Sequence, residues 1–376
     1  MQKGYFDNAA TTELCGKAKS AMTAALDLFG NPSSFHKIGT QTADMIDNAR
    51  KTAADFIKVG AGEIYFTSGG TESDNLAIIG AAEALKRRGK RIVTTAFEHS
   101  AVMGAVSELE QRGFEVIRLK PESDGTVSAE QLADAVNNDT VLVSCMASNN
   151  ETGAILPIEE ISGIIKRAGA PAYFHVDATQ SFGKYAIYPE KLGIDLMTFS
   201  SHKIHGPKGV GALYKSKKCR ILPIIHGGEQ QGGIRPGTEP TVLIAGFAAA
   251  IEDIGDMAEN EKKVGALKNA AAEKLLGAGL IMNSPKDSSA YLLNVSMPGF
   301  KSETVLHYLD AKGFCISSGS ACSKGRQSHV LQSLGFDKKR SDSALRISFS
   351  KYNEPDETNR LCDEIINASK TLIRVK

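Results

Sequence analysis

The stretch "EIYFTSGGTESDNLAIIGAAEALKRRGKRIVTTA", residues 63–96, decides the fold class. Residues 63–67 are rich in β-branched and aromatic side chains, residues 72–89 repeat apolar side chains at helical spacing, and residues 91–96 are again strand-like. A strand, a helix and a second strand in this order are typical of a crossover between parallel strands. The stretch therefore predicts an α/β fold.

The same alternation continues along the chain. Further strands are predicted at 114–119, 140–147, 173–178 and 195–200, and further helices at 100–113 and 128–138. A seventh strand, 209–214, follows the sixth after only eight residues, which is too short for a helical crossover, so this last pair should be antiparallel. We expect a mostly parallel sheet of seven strands with helices on both faces.

The pattern changes near residue 250. A long polar helix over 249–279 is followed by strand candidates at 290–297 and 344–350, on either side of a loop that contains Cys322. A chain of 376 residues exceeds the size at which one hydrophobic core keeps growing. We expect a large domain over 15–250 and a small α+β domain that comprises 1–14 and 251–376 and carries the Cys322 loop.

Charge and composition narrow the possible partners. The 44 Lys and Arg residues nearly balance the 43 Asp and Glu residues, which argues against nucleic acid or an anionic membrane as the main partner. The six cysteines show neither zinc-ligand spacing nor a disulfide framework, so we expect free thiols, no metal site and a reducing compartment. The start of the chain has no apolar signal core and no later run approaches a membrane span, so we expect a cytoplasmic protein.

Polar residues at the end of the first strand suggest a phosphate site. In "FTSGGTESDN" the glycines Gly69 and Gly70 precede Thr71 and Glu72, which begin a helix. The N–H groups at such a terminus suit a phosphate group. The pattern is not a nucleotide P-loop, because the following lysine is absent. A glycine-rich turn with Thr71 as helix cap is the alternative reading.

Two later strands also end in chemically active side chains. Asp177 ends the fifth strand, with Gln180 three residues on, and Lys203 follows Ser200 and His202 at the end of the sixth. Side chains at the carboxyl ends of parallel strands project into the ligand crevice of an open sheet, where desolvation could make Lys203 a nucleophilic amine. The alternatives are that Asp177 only caps a helix and that Lys203 is a solvated surface charge.

A phosphate anchor, an acid for a ring nitrogen and a lysine for an aldehyde are together what pyridoxal 5'-phosphate requires. The three signals support one another, since each is weak alone. We therefore expect this cofactor to bind at the carboxyl edge of the sheet.

Ten motifs in order give the chain a family resemblance. They are "FDNAATT" (6–12), "GNPSSFH" (30–36), "FTSGGTESDN" (66–75), "EHSAV" (98–102), "NNETGAI" (149–155), "VDATQSFGK" (176–184), "SSHKIHGPKG" (200–209), "RPGTEP" (235–240), "SSGSAC" (317–322) and "LRISFS" (345–350). Together they resemble the cysteine desulfurases of the class V aminotransferase group. The resemblance runs from about Phe6 to about Ser350 and implies the type I fold of pyridoxal-phosphate-dependent transferases.

The resemblance implies a role for each site residue. Lys203 would bind the cofactor covalently and move the Cα proton of the substrate, Asp177 would keep the ring nitrogen protonated, and His99 would stack on the ring as a possible acid or base. Arg346, with Asn150, would bind the substrate carboxylate. The full set implied for the cofactor is Gly70, Thr71, His99, Asn150, Asp177, Gln180, Ser200, His202, Lys203 and Thr238.

Within that set, Asn150 and Gln180 would reach the phenolic oxygen, and Thr71, Ser200 and His202 would hold the phosphate. Thr238 matches a phosphate ligand that the neighbouring subunit supplies, so the resemblance implies a homodimer.

Cys322 is the catalytic thiol that the resemblance implies. L-cysteine would be converted to alanine and a persulfide on Cys322, which would pass to a sulfur-acceptor protein for iron–sulfur cluster assembly or for thiolation of tRNA or cofactors. The Ser, Gly and Ala neighbours suit a thiol that must enter a pocket and leave it, and nearby cations favour the thiolate. An incidental cysteine in a surface loop is the alternative. We expect Cys145 to lie in the core and Cys315 to be buried.

Three other functions remain open from the sequence. The substrate could be selenocysteine, the chain could be an aminotransferase or lyase that does not need Cys322, or it could be a non-catalytic sulfur-carrier scaffold. The intact set of Lys203, Asp177 and His99 argues against the scaffold.

Overall fold

The computed structural model describes residues 3–122, 124–318 and 328–374. The strands are β1 (Ile64–Thr67), β2 (Arg91–Thr95), β3 (Glu115–Leu119), β4 (Thr140–Met146), β5 (Tyr173–Asp177), β6 (Leu196–Ser200), β7 (Gly211–Lys215), β8 (Ile281–Met282), β9 (Leu292–Ser296) and β10 (Ala344–Ser348). The helices are α1 (Gly16–Ala25), α2 (Lys37–Ile57), α3 (Gly70–Leu85), α4 (Ser100–Gln111), α5 (Ala129–Ala135), α6 (Ile158–Arg167), α7 (Pro189–Leu192), α8 (Thr241–Glu252), α9 (Met257–Gly277), α10 (Ser302–Asp310), α11 (His329–Ser333), α12 (Lys338–Asp342) and α13 (Pro355–Thr371).

The larger sheet has seven strands in the order β1-β7-β6-β5-β4-β2-β3. The pairs β2–β3, β2–β4, β4–β5 and β5–β6 are parallel, whereas β7 runs antiparallel to both β6 and β1. The predicted mostly parallel sheet and its antiparallel sixth and seventh strands are confirmed. Because the parallel strands share one direction, their carboxyl ends lie along one edge, where ligands bind in folds of this type.

Helices cover both faces of this sheet. Successive side chains of a strand point to opposite faces of the sheet, so neighbouring residues belong to different apolar clusters. Ile92 and Val93 of β2 are an example. Val93 packs on the face covered by α2, α6 and α8, which contribute residues such as Ile57, Ile161 and Phe247. Ile92 packs on the opposite face with the residues of α3 and α4. The predicted α/β layering is confirmed.

A second, smaller sheet forms its own apolar cluster. Its order is β10-β9-β8, and both of its strand pairs are antiparallel. Leu293 and Ile347 pack with residues of α9, α10 and α13, and with Phe6 from the start of the chain. Isolated bridges join Tyr5 to Cys315 and Asp7 to Ser348. The division into domains at residue 250 stays a prediction.

The single long helix predicted over 249–279 is wrong. The structure has two helices there, α8 and α9, which are separated by Asp253–Asp256. Gly255 has a φ of +75°, which no α-helix can contain. Asp256 then caps α9, because its Oδ1 accepts hydrogen bonds from the N–H groups of Ala258 (2.9 Å) and Glu259 (3.0 Å).

Within the described part of the chain, every helix is too short or too polar to cross a lipid bilayer.

Candidate active site

Lys203 lies at the end of a short 3₁₀ turn, Ser201–Lys203, directly after β6. Its Nζ donates hydrogen bonds to the main-chain carbonyls of Ala9 (2.6 Å) and Ala10 (2.8 Å). The same N-terminal segment holds the turn from the other side, because the N–H of Thr12 donates to the carbonyl of His202 (3.0 Å). The structure thus brings the predicted strand-end lysine to the carboxyl edge and gives it two carbonyl acceptors.

Asp177 ends β5, on the strand next to the one that precedes Lys203, and is 6% exposed. Its Oδ1 accepts a hydrogen bond from the N–H of Thr179 (2.9 Å). A second carboxyl, that of the fully buried Glu98, accepts from the hydroxyl of Thr95 (2.8 Å) and the N–H of Met146 (3.0 Å). Burial, reinforced by the charge of Asp177, raises the pKa of Glu98 to about 8. Glu98 is therefore a neutral acid at pH 7.

A further neutral group lies in the sheet below Asp177. The imidazole of His175 is fully buried and is bonded at Nδ1 to the hydroxyl of Ser144 (2.9 Å) and at Nε2 to that of Thr198 (3.1 Å). Burial lowers the pKa of His175 to about 4, although the charge of Asp177 opposes it. Burial also raises the pKa of Asp74, whose carboxyl lies 3.6 Å from His175 Nε2.

His99 caps the N-terminus of α4. Its Nδ1 accepts a hydrogen bond from the N–H of Ala101 (3.2 Å), so the proton of the neutral ring is on Nε2. Burial lowers the pKa of His99, the charge of Asp177 opposes the shift, and the neighbouring Lys203 lowers the pKa further. The ring is therefore neutral at pH 7, and the charges of Asp177 and Lys203 act on its pKa in opposite directions.

The turn before α3 leaves open space beside β6. Gly69 has a φ of +148°, which favours glycine. A Cβ atom on Gly70 would lie 3.1 Å from Thr179 Oγ1 and 3.8 Å from Ser200 Cβ. Glycine therefore keeps this corner open between the N-terminus of α3 and the ends of two strands. Thr71, the predicted phosphate ligand on this helix, is exposed.

The carboxylate of Glu72 also lies at this helix terminus, where the sequence placed it without assigning it a role. Glu72 accepts a hydrogen bond from the N–H of Ser68 (2.6 Å) and forms an ion pair with Arg235 (2.9 Å). Although burial opposes it, hydrogen bonds from Arg235 and Ser68 lower the pKa of Glu72. The carboxylate ties the loop around Arg235 to the start of α3.

Ser200 and His202 flank the lysine turn. Ser200 is only 2% exposed, and its side chain faces the open corner beside Gly70. His202 Nδ1 is bonded to the hydroxyl of Thr11 (3.1 Å). Burial, together with the charges of Lys203 and Lys208, lowers the pKa of His202 to about 4, so its ring is neutral at pH 7.

Gln180 connects the first turn after β5 to the lysine. Its Nε2 donates to the carbonyl of Ala9 (2.9 Å), the same oxygen that accepts from Lys203. Its Oε1 accepts from the ammonium of Lys184 (3.4 Å). Gln180 and Lys203 therefore converge on one carbonyl oxygen.

Arg346, on β10, brings the small sheet to the site and is 4% exposed. Its Nη1 donates to the carbonyl of Asn150 (3.0 Å), and its Nη2 donates to Asp7 Oδ1 (2.9 Å). Among the described residues, Arg346 Nε and Asn150 Oδ1 are buried without a hydrogen-bond partner. Because both Nη groups of Arg346 are held by hydrogen bonds and its Nε–H has no acceptor in the described part of the chain, this arginine is suited to bind a second anion.

The side chains present fit pyridoxal 5'-phosphate. The buried Asn150 Oδ1 lacks a partner, which is costly unless a ligand group supplies one. The corner kept open by Gly70 lies beside a helix N-terminus, where a phosphate group binds well. Lys203 and Asp177 provide the amine and the acid that the cofactor needs.

Two predicted residues are not brought into this cluster. Thr238 is exposed and lines a surface groove with Leu26 and Phe29. Cys322 lies outside the described residues. Its flanks contact the site, because the main chain of Ser317 pairs with Arg346 and because His329 Nε2 is bonded to the carbonyl of Glu98 (2.8 Å).

The other described cysteines do not belong to a cluster of reactive side chains. Cys145 is fully buried, as predicted. Cys315 is partly exposed, so the expectation that it is buried is wrong. Its N–H donates to the carbonyl of Gly4, and its carbonyl accepts from the N–H of Phe6. No group of three or more His, Cys, Asp or Glu side chains that could hold a metal ion occurs within residues 3–122, 124–318 and 328–374.

Comparison with known proteins identifies the family. The Aminotransferase class-V family matches residues 4–361, nearly the whole chain. This chain is a member of the class-V aminotransferase family.

Relatives of this chain carry desulfurase names. "Putative cysteine desulfurase IscS 1" of Bacillus subtilis (strain 168) is 40% identical over 380 residues, covering 99% of this chain and 100% of that protein. "Cysteine desulfurase IscS" of Methanosarcina thermophila is 40% identical over 367 residues, covering 96% and 90%. Among solved structures, a "NIFS-LIKE PROTEIN" has a TM-score of 0.93 with 36% identity, covering 99% of this chain and 100% of that one. "SspA in complex with cysteine" has a TM-score of 0.83 with 33% identity, covering 93% and 100%.

Several side chains and carbonyls in this site carried no assigned role in the sequence. They are Asp7, Ala9, Glu98 and Lys184. Asp7 and Ala9 belong to "FDNAATT", and Lys184 ends "VDATQSFGK", so motif membership was the available signal. Glu98 begins "EHSAV", so it too had the signal of motif membership.

Proposed function

We propose that this chain is a cysteine desulfurase that uses pyridoxal 5'-phosphate to convert L-cysteine to alanine and a persulfide on Cys322. The observation that carries the proposal is the convergence of Lys203, Asp177 and the neutral His99 at one edge of the sheet. Full-length similarity to proteins named cysteine desulfurase supports the same reaction.

The proposed cofactor residues divide the work by position. Asp177 would keep a proton on the ring nitrogen, and His99 would lie against the ring with its neutral imidazole. Gly70, Thr71, Ser200 and His202 would hold the phosphate, and Asn150 and Gln180 would face the phenolic oxygen. When bound, the cofactor supplies an electron sink for the carbanion that forms at the substrate Cα. Lys203 would take the Cα proton onto Nζ.

Arg346 and Asn150 would hold the substrate. The guanidinium is already fixed by Asp7 and by the Asn150 carbonyl, so little conformational entropy is lost when it binds a carboxylate. The unpartnered Nε of Arg346 would donate to the carboxylate of L-cysteine.

Cys322 would collect the sulfur. It lies four residues beyond Ser318, which spans at most about 14 Å of extended chain, and the neighbouring Ser317 pairs with Arg346. Its thiolate would attack the substrate sulfur, forming an S–S bond while the Cβ–S bond breaks. The electron pair stays on carbon, which takes up a proton to give alanine. A sulfur-acceptor protein for iron–sulfur cluster assembly or thiolation would then take the sulfur.

A homodimer is part of the proposal. Leu26 is 67% exposed, Phe29 is 80% exposed and Phe35 is fully exposed. Exposure of these large apolar side chains to water is unfavourable, and a second subunit would cover them. Thr238 lines the same groove as Leu26 and Phe29, so it would reach the phosphate site of the partner subunit. The free cysteines among the described residues support a reducing compartment, and we place the protein in the cytoplasm.

We also propose that the large domain over 15–250 holds the cofactor and that 1–14 with 251–376 forms the small domain. The separate apolar cluster around the small sheet supports this division.

The test is mass spectrometry of the purified protein after L-cysteine is added without reductant. We expect one added sulfur on the Cys322 peptide and one alanine per sulfur. Cys322→Ala should lose both products while it retains the absorbance of the bound cofactor, and Cys315→Ala is the matched control. Alanine from the Cys322→Ala variant would point to a lyase that does not need this thiol, the oxo acid of cysteine would point to an aminotransferase, and faster turnover of selenocysteine would point to that substrate.

A further inference from the structure

Glu151 is a buried acid beside the proposed substrate site, and the proposed reaction gives it no role. It follows Asn150 in the chain and is 6% exposed. Burial raises its pKa to about 7, although a hydrogen bond from Ser328 and the charge of Arg346 oppose the shift. Burying an acid is costly unless hydrogen bonds compensate for the lost water. The hydrogen bond from Ser328 therefore offsets the cost of burying Glu151.

The hydroxyl of Ser328 joins Glu151 to the start of α11. It donates to Glu151 Oε2 (2.5 Å) and accepts from the N–H of Leu331 (3.2 Å). A hydroxyl carries one proton, so the direction of both bonds is fixed: the proton points to Glu151, and a lone pair of the oxygen caps the helix. The position of the first turn of α11 thus depends on a side chain beside the substrate site.

Two further residues hold α11 at the carboxyl edge of the larger sheet. His329 Nε2 donates to the carbonyl of Glu98, the residue before His99 (2.8 Å). Val330 is 1% exposed and belongs to an apolar cluster of that sheet. Three successive residues that follow the Cys322 loop are therefore attached to the larger sheet.

The chain before Cys322 is attached to the smaller sheet. The N–H of Ser317 donates to the carbonyl of Arg346 on β10 (3.1 Å), and the N–H of Arg346 donates to the carbonyl of Ser317 (2.7 Å). Cys322 lies four residues after Ser318 and six residues before Ser328, which allow at most about 14 Å and 22 Å of extended chain. Both attachments together confine the thiol to the space where the two limits overlap, and loss of the second attachment leaves only the first limit.

We propose that Glu151 is a positioning residue for Cys322: through the hydroxyl of Ser328 it keeps the chain that follows the thiol beside the substrate site. This inference rests on the proposed function, in which the thiolate of Cys322 attacks the sulfur of L-cysteine. Glu151 acts through Ser328 and raises the effective concentration of the thiol near that sulfur, so it takes no part in the proton transfers at Lys203.

Two variants of Glu151 separate the hydrogen bond from packing. Glu151→Gln keeps an acceptor oxygen for the hydroxyl of Ser328, whereas Glu151→Met has a similar volume and no acceptor oxygen. Ser328→Ala removes the donor and also the helix cap. Its control is Ser128→Ala, because Ser128 caps α5 by accepting from the N–H of Gln131 (3.3 Å) and α5 contributes no residue to the site.

Each variant is loaded with pyridoxal 5'-phosphate and measured in two reactions. The first is the addition of sulfur to Cys322 in a single turnover of L-cysteine, followed by rapid quenching and mass spectrometry. The second is the replacement of the Cα hydrogen of L-alanine by deuterium from ²H₂O, which uses Lys203 and Arg346 but not the thiol. We expect Glu151→Met to slow sulfur addition about tenfold and to leave deuterium exchange within about twofold of the native rate. Glu151→Gln should keep most of the rate of sulfur addition.

The double variant tests whether the two side chains act as one unit. Glu151→Met combined with Ser328→Ala should be no slower in sulfur addition than Ser328→Ala alone, because both substitutions remove the same hydrogen bond. Ser128→Ala should keep both native rates. The proposal is overturned if the two effects multiply, or if Glu151→Gln loses as much as Glu151→Met. It is also overturned if deuterium exchange falls in parallel with sulfur addition, which would indicate a structural role.

A third measurement needs no reaction. In the cofactor-free chain, amide hydrogen exchange over 328–335 should be faster in Glu151→Met than in Glu151→Gln, since the first turn of α11 has lost an attachment. If Glu151→Met does not fold, Ser328→Ala and Ser128→Ala are compared over their own helices. Equal amide exchange in the two Glu151 variants would contradict the attachment itself. Absence of sulfur on Cys322 in the native protein would instead refute the proposed function, and the amide exchange would still report the contact.

Discussion

Replacing Glu98 by Gln should stabilise the protein at pH 8 and leave its stability nearly unchanged at pH 5. Glu98 is fully buried, and burial raises its pKa from 4.5 to about 8. A glutamine has the shape of the protonated acid, and its Oε1 can still accept from the hydroxyl of Thr95 and the N–H of Met146. The Oε2 position has no partner among the described residues, so the amide NH₂ loses no existing hydrogen bond there.

The sign follows from proton linkage. Between pH 4.5 and about 8 the unfolded chain releases the Glu98 proton while the native chain keeps it, so the native state loses stability as the pH rises. A difference of roughly 3.5 pKa units corresponds to about 5 kcal/mol at full effect. Burying the amide NH₂ of the glutamine without an acceptor costs about 1–3 kcal/mol. The O–H group of the protonated Glu98 already carries part of this cost in the native chain. We therefore expect a net gain of about 2–5 kcal/mol at pH 8.

The assay is the thermal unfolding midpoint of the cofactor-free native chain and of Glu98→Gln, measured from pH 5 to pH 8. The difference between the two should grow steadily with pH and reach several degrees, because about 1 kcal/mol shifts the midpoint of a 150–250-residue domain by about 2–4 °C.

Glu72→Gln is the matched control with the opposite sign. Hydrogen bonds from Arg235 and Ser68 lower the pKa of Glu72, so its carboxylate stabilises the native state above its unfolded pKa and loses that effect as the pH falls. Glu72→Gln should thus destabilise at pH 7 and cost less at pH 4. A Glu98→Gln variant whose midpoint tracks the native one at every pH would refute a neutral buried Glu98.

Three further outcomes are expected. Gly70→Ala should weaken cofactor affinity about tenfold, since overpacking costs about 1–3 kcal/mol. Gly104→Ala, on the exposed face of α4 with no atom near its new Cβ, should bind the cofactor normally. Spectroscopic titration compares the two variants, and equal affinities would contradict the open corner beside Gly70. Arg346→Lys should raise the KM for L-cysteine about 10–100-fold through the loss of a charge-assisted hydrogen bond, and an unchanged KM would place the carboxylate elsewhere. Phe29→Ser should shift the protein toward monomers in analytical ultracentrifugation, and a stable dimer would exclude this groove as the interface.

Local patterns predicted the sheet and failed at one helix. The strand–helix–strand order of 63–96 and the eight-residue gap before 209–214 sufficed for the parallel sheet and its antiparallel strand. The long polar helix predicted over 249–279 contains a break, because the residue pattern does not reveal a positive φ at Gly255 followed by the cap Asp256. The Gly-Asp pair was the readable signal.

The site divides in the same way. Asp177 and Lys203 were predictable, since each follows a strand and parallel strands end at one edge. The contact of Arg346 with Asp7 joins residues 339 positions apart, and the acceptors of Lys203 are main-chain carbonyls, which have no sequence signature. The raised pKa of Glu98 comes from burial, which depends on the assembled fold.

The N-terminal segment has a consequence for biosynthesis. Residues 6–12 are synthesised well before their partners His202, Cys315 and Arg346, which follow them in the chain. At about 5–20 residues per second, the last of these partners follows on the order of tens of seconds later. During part of that interval the segment can pair with the turn that contains His202, but it cannot yet pair with Cys315 or Arg346. The site is thus completed only after Arg346 has been synthesised.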